Sequence, residues 1–151
     1  MKRLLWRTLS VFILFWVPAL SSYSTSNISI AVSHDIDITY LRRSTLQRIF
    51  TKKVTRWGNG QDITVIIKPV VSIEHRQFLE QVLKMTPYRY QKALDSVTYT
   101  AHHSTPVIEV SNDAGMMIEL KKHPGAIGYS NYMPIMDGRI IRVCEDDELC
   151  L

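Results

Sequence analysis

Ile63-Thr64-Val65-Ile66-Ile67-Lys68-Pro69 runs into Val70-Val71-Ser72-Ile73-Glu74-His75-Arg76-Gln77-Phe78-Leu79-Glu80-Gln81-Val82-Leu83. Across this stretch the apolar period changes. Ile63, Val65 and Ile67 alternate with their neighbours, the signature of a strand, and Pro69 ends it. Ser72 is a helix-opening residue, and Phe78, Leu79, Val82 and Leu83 then recur at helical spacing. A strand feeding at once into an amphipathic helix is the building unit of an α/β fold.

The same alternation extends in both directions. Upstream, Ile28, Ile30 and Val32 alternate with Ser29, Ala31 and Ser33 as a strand. Ser44 followed by Gln47 reads as a capping box, with Leu46, Ile49 and Phe50 as the apolar face of a short helix. Trp57-Gly58-Asn59-Gly60 reads as a turn. Downstream, Thr86-Pro87 opens a helix with Tyr90, Ala93 and Leu94 facing inward. Residues 98–106 are a loop, and Val107, Ile108 and Val110 a short strand. A helix spans Ser111 to Lys122, with Asp113 in its first turn and Met116, Met117 and Leu120 inside. Ala126-Ile127-Gly128-Tyr129 is a buried strand, and Ile140, Ile141 and Val143 form a last one after the Asp137-Gly138 turn. The class is α/β, in one domain over residues 28–151.

Composition limits what the chain can be. It has 151 residues, 46% hydrophobic and 21% charged, which excludes a disordered or fibrous chain. The net charge of +4 is concentrated at one end. Lys2, Arg3 and Arg7 precede an apolar run over residues 9–17, Pro18, and the small pair Ala19 and Ser21. That is a secretory signal over residues 1–21, with an uncleaved anchor as the other reading. Residues 22–27 follow as a flexible leader. Without the signal, fifteen basic residues face fourteen acidic ones, a net of +1. Such a balance argues against a nucleic-acid partner. Cys144 and Cys150 are the two cysteines, an even count that favours a disulfide in an exported, periplasmic protein, with two free thiols as the alternative.

Four segments occur in a familiar order: Leu46 to Phe50 with Trp57 to Gly60, Ser72 to Phe78, Thr105-Pro106 to Ser111, and Pro124-Gly125-Ala126-Ile127-Gly128-Tyr129. Together they resemble the phosphate-binding proteins of phosphate ABC transporters, which have the type II periplasmic binding fold. The resemblance spans roughly residues 28–143. It implies a mixed sheet flanked by helices, with a chain length sufficient for one lobe of a fold that normally has two. It also implies phosphate or a similar oxyanion as ligand and an ABC transporter or other membrane protein as partner. The family's first anion loop would follow Ser33, where His34-Asp35-Ile36-Asp37 stands instead. Its Ser-Gly-Thr-Arg loop aligns with Ser72 and Arg76 but without the Gly and Thr, and its Phe-x-Gly-x-Gly segment is Tyr99 to His103 here.

The helix start at Ser72 is the candidate anion site. Its first N–H groups lack helical partners and its dipole is positive at that end. Arg76, one turn on, offers a forked contact, and His75 a proton-dependent donor. Ser111 is the candidate second wall, and Trp57 and Tyr129 are candidate cleft residues. Each also has a simpler reading as a helix cap or a core aromatic. The five histidines, His102-His103 included, show no metal-ligand spacing, and no nucleophile motif or cofactor signature is present. Two functions follow. One is an exported solute-binding protein for an oxyanion. The other is a single-lobe interaction module that has lost its ligand and docks on a membrane or periplasmic partner. Homodimerisation is open, since two facing lobes would rebuild a cleft.

Overall fold

A computed structural model describes residues 28–98, 105–131 and 139–147. The strands are β1 (Ser29–Val32), β2 (Tyr40–Arg42), β3 (Thr64–Ile67), β4 (Val107–Glu109), β5 (Ala126–Ser130) and β6 (Arg139–Cys144). The helices are α1 (Arg43–Phe50), α2 (Ile73–Gln77), α3 (Pro87–Thr98) and α4 (Asp113–Lys122). One mixed sheet has the order β2-β6-β1-β5-β3-β4. Here β1 runs antiparallel to both neighbours, while β2 pairs parallel with β6, and β3 parallel with β4 and β5. The α/β class and the mixed sheet agree with the sequence reading.

Side-chain alternation on the strands builds two cores. Ile30, Val32, Val65, Ile67, Ile127 and Tyr129 point to one face, where Leu46, Ile49 and Phe50 of α1 meet Phe78, Leu79, Leu83 and Tyr90. Ala31, Ile66 and Ala126 point to the other, covered by Met116 and Leu120 of α4. β5 is buried along its whole length, which is why it reads as a continuous apolar run. Gly128 lies on its α4 side, where a Cβ would strike the Met116 sulfur, so the glycine lets α4 lie close on the sheet. Gly125 has φ at 76°, and a Cβ there would run into the Asp62 carbonyl. Its own carbonyl accepts from Trp57 Nε1 at 2.9 Å and from the Thr64 N–H at 3.3 Å, and its N–H donates to Asp35 Oδ2 at 3.1 Å.

Several local expectations change. β2 carries no periodic signal, because three residues are too few to show one; it forms by pairing with β6. The capping box at Ser44 does not form. Arg42 is the N-cap without a side-chain bond, and Ser44 Oγ instead donates to Asp146 Oδ1 at 2.6 Å. Arg43 pairs with Glu145 beside it, so the acidic tail supplies the negative charge at the start of α1. The helix from Ser72 is not uniform. After Gln77 it widens into a π-helical turn over Phe78–Val82, closed by Leu83 N–H to Phe78 carbonyl at 3.1 Å. That turn keeps Phe78, Leu79 and Leu83 all in the core. α4 starts at Asp113, capped by Asn112 rather than Ser111. Asp35 binds the Gly125 N–H, and Asp37 pairs with Arg139.

The signal segment 1–21, the leader 22–27, His102-His103, the Asp137-Gly138 turn and Cys150 lie outside the described residues. Among the described residues no helix is long and apolar enough to cross a membrane.

Candidate functional site

β3, β4 and β5 run in one direction, so the loops that leave β3 and β4 emerge at the same end of the sheet. The loop after β3 carries Lys68 to Ser72 into α2; the loop after β4 carries Val110 to Asn112 into α4. Two helix starts, each with unpaired N–H groups, therefore open at the carboxyl edge of parallel strands.

Ser72 caps α2, its Oγ accepting from the His75 N–H at 3.1 Å. Arg76 projects from the first turn into solvent, and no carboxylate pairs with it among the described residues. His75 does not share that position. Successive helical residues diverge by about 100°, which turns its ring into the core, where it is 1% exposed. Its Nδ1 lies 2.7 Å from the Tyr129 hydroxyl. That hydroxyl also accepts from the Lys68 N–H at 3.0 Å. The arrangement that gives the phenolic proton an acceptor places the ring proton on Nε2, which is buried with no partner among the described residues. Burial pushes the His75 pKa down and the Tyr129 pKa up. His75 is thus a neutral core residue rather than a proton-dependent anion donor.

Tyr129 is also core. Its ring stacks on Phe78 with centroids 3.8 Å apart, beneath the loops rather than within a cleft. Trp57 is buried too, and its bond to Gly125 places it before the start of β5, at the end of the sheet opposite Ser72. The Ser33 loop is at that opposite end as well, because β1 is antiparallel to β5 and Asp35 binds Gly125. The two loops that the resemblance would bring together around one anion are therefore on different edges. Ser111 is exposed next to the Asn112 cap, whose Oδ1 accepts from the Gly115 N–H at 2.8 Å.

One residue of this edge escaped the sequence reading. Lys68 is 5% exposed, and its Nζ lies 2.5 Å from Asp113 Oδ1 at the first turn of α4. The signal was present as a lysine ending an apolar strand, but its partner is 45 positions away in the chain. Asp113 supplies at α4 both the negative charge that the dipole favours and the counter-charge for Lys68. Arg76, with the helix start at Ser72 and the Ser111 hydroxyl, is what this edge offers to an external anion. Glu74 is the opposing charge in the first turn of α2. Among the described residues no cluster of three or more metal-ligating side chains exists.

No protein-family model matches the chain, and no curated protein does. Solved structures do. An ABC-type phosphate transport receptor from Vibrio cholerae superposes with a TM-score of 0.56 at 16% identity, over 77% of this chain and 45% of that one. PstS from Borrelia burgdorferi gives 0.53 at 16%, over 77% and 46%. A possible phosphate binding protein from Planctomyces limnophilus gives 0.59 at 14%, over 80% and 42%. The chain therefore has the fold of one portion of these proteins, and the match spans less than half the length of each.

Proposed function

We propose that this chain is a single-lobe solute-binding protein for phosphate or a similar oxyanion, held at the carboxyl edge of β3 and β4. The carrying observation is Arg76. It is a guanidinium with no carboxylate partner among the described residues, one turn into a helix that opens at that edge, in a fold shared with phosphate-binding proteins. Ser72, as cap, fixes where the α2 start points, and Ser111 lends a hydroxyl from the neighbouring loop. Lys68 acts from below: its pairing with Asp113 holds the α4 start against β3. The role is binding and delivery, not catalysis. Export by cleavage after Ser21, a Cys144–Cys150 disulfide, delivery to an ABC transporter and pairing of two lobes across this edge belong to the same reading.

Thermal unfolding of residues 22–151 in phosphate, sulfate and chloride at matched ionic strength tests it. Phosphate at about 100 times its dissociation constant stabilises by roughly 2.7 kcal/mol, a shift of several degrees for a domain this size. Arg76→Ala abolishes that shift while leaving the ligand-free melting point in place, since the side chain is exposed. A phosphate shift that persists in Arg76→Ala excludes this site. No shift with any anion leaves the docking role, for which the exposed Val70, Val71 and Ile73 at the same edge are the contact surface.

A further inference from the structure

A second concave surface lies between α1 and α3, away from the loops just described. It encloses about 510 Å³, and its walls carry Arg48 and Lys53 on one side and Arg89 and Lys92 on the other, with Tyr88 at the rim. Among the described residues no carboxylate lines it. All four cations are exposed, and none forms an ion pair among the described residues. The closest acid in sequence, Asp95, is engaged by Gln91 Nε2 at 2.8 Å.

The backbone holds these charges together. Lys52 adopts a left-handed conformation, φ 61°, after the end of α1. The chain turns back there, so that the Lys53 N–H donates to the Arg48 carbonyl at 2.8 Å. Arg89 and Lys92 are three residues apart on α3 and share a face. Tyr90 Oη fastens the α3 wall to α1 by donating to the Phe50 carbonyl at 3.3 Å, and Gln47 Nε2 ties α1 to the segment ahead of α3 through the Leu83 carbonyl at 2.6 Å. Four like charges on a fixed frame repel one another, and a chain whose portion after residue 21 is close to neutral has concentrated them here.

We propose that this cleft is a binding site for a small polyanion carrying several phosphate groups, separate from the Arg76 edge. The two guanidinium groups suit forked contacts to phosphate oxygens, the two ammonium groups add point charges, and Tyr88 adds a hydroxyl donor. The volume is that of a small-molecule site. Several linked phosphates offer more charge and more oxygens to the two walls than a single orthophosphate does, and a flat membrane surface does not enter a concave one.

Titration calorimetry with inorganic tripolyphosphate, orthophosphate, polyglutamate and phosphatidylglycerol vesicles tests this on the purified protein. Tripolyphosphate binds saturably and weakens with added salt, and in Arg76→Ala, where the orthophosphate edge is removed, it binds about tenfold or more tighter than orthophosphate. The double charge reversal Arg48→Glu with Arg89→Glu lowers tripolyphosphate affinity by about tenfold or more. It leaves the circular dichroism spectrum and melting point in place, because both side chains are exposed. Arg76→Ala leaves tripolyphosphate binding unchanged, which separates this site from the proposed oxyanion site. Absence of saturable tripolyphosphate binding, or binding that survives the double reversal, overturns the proposal. So does binding of polyglutamate or vesicles without tripolyphosphate, which assigns the cleft to a protein or a membrane.

Discussion

His75 shows how one residue can be read two ways from sequence and only one way in the fold. Next to Arg76 it looks like half of an anion-binding pair. In the structure it is a buried ring against Tyr129, Phe78 and Tyr90, and burial holds its pKa below the ordinary 6.5. This gives a pH dependence with a definite sign. As the pH drops below about 6.5 the unfolded chain takes up a proton that folded His75 refuses, so the unfolded state binds more protons and stability is lost as the pH falls. Urea unfolding at pH 7 and pH 5 measures the loss, and His75→Gln, which keeps a polar group near the Tyr129 hydroxyl, flattens the difference. An unchanged slope in that variant assigns the acid sensitivity to other groups. Gly125 is the converse case. Its place in a segment that resembles one of phosphate-binding proteins suggests function, yet its positive φ and its three hydrogen bonds make it a fold residue.

At the level of elements, the loop after β3 and the start of α4 are joined by a charge pair that neither makes alone. Lys68 is almost fully buried, whereas the Asp113 side chain is 28% exposed and sits at a helix start. The two ends of the pair are therefore unequal. Asp113→Ala strands an ammonium in the core and costs about 3 kcal/mol, the lower end for breaking a buried pair. Lys68→Met leaves a carboxylate that retains solvent and the α4 dipole, and costs clearly less. Chemical denaturation of both single variants and the double variant measures the asymmetry and the coupling. Equal costs refute the argument. The π-helical turn after α2 is a second element-scale feature. Its apolar residues are legible as helical, but the widened turn follows from fitting Phe78, Leu79 and Leu83 into a space already occupied by Phe50 and Tyr129.

For the whole molecule, the tail after β6 matters to the opposite end of the sequence. Glu145 and Asp146 reach back to Arg43 and Ser44, closing the chain onto the start of α1. The Arg43 guanidinium holds the Glu145 carboxyl below its ordinary range. A Cys144–Cys150 disulfide would close a loop that contains Glu145 and Asp146. Intact mass then gains two hydrogens on reduction, and because the loop is short the melting point falls only modestly. Mass unaltered by reductant rejects the pairing.

Much of the architecture is written locally. The alternation at residues 63–67, the helical spacing after Ser72 and the apolar run at residues 126–129 each follow from side-chain period, so the α/β class is readable without coordinates. The Arg76 and Ser72 candidates are readable too, since a helix start and its cap are local features. What only tertiary structure decided is non-local. Strand direction placed the Ser33 loop and Trp57 at one edge and Ser72 with Ser111 at the other. Pairing with β6 created β2 from three unpatterned residues, and the meeting of β3 with α4 gave Lys68 its carboxylate. Packing of α3 on α1 gathered four cations from two segments into one cleft. Period fixes which residues face inward, but it carries no information about which distant segments become neighbours.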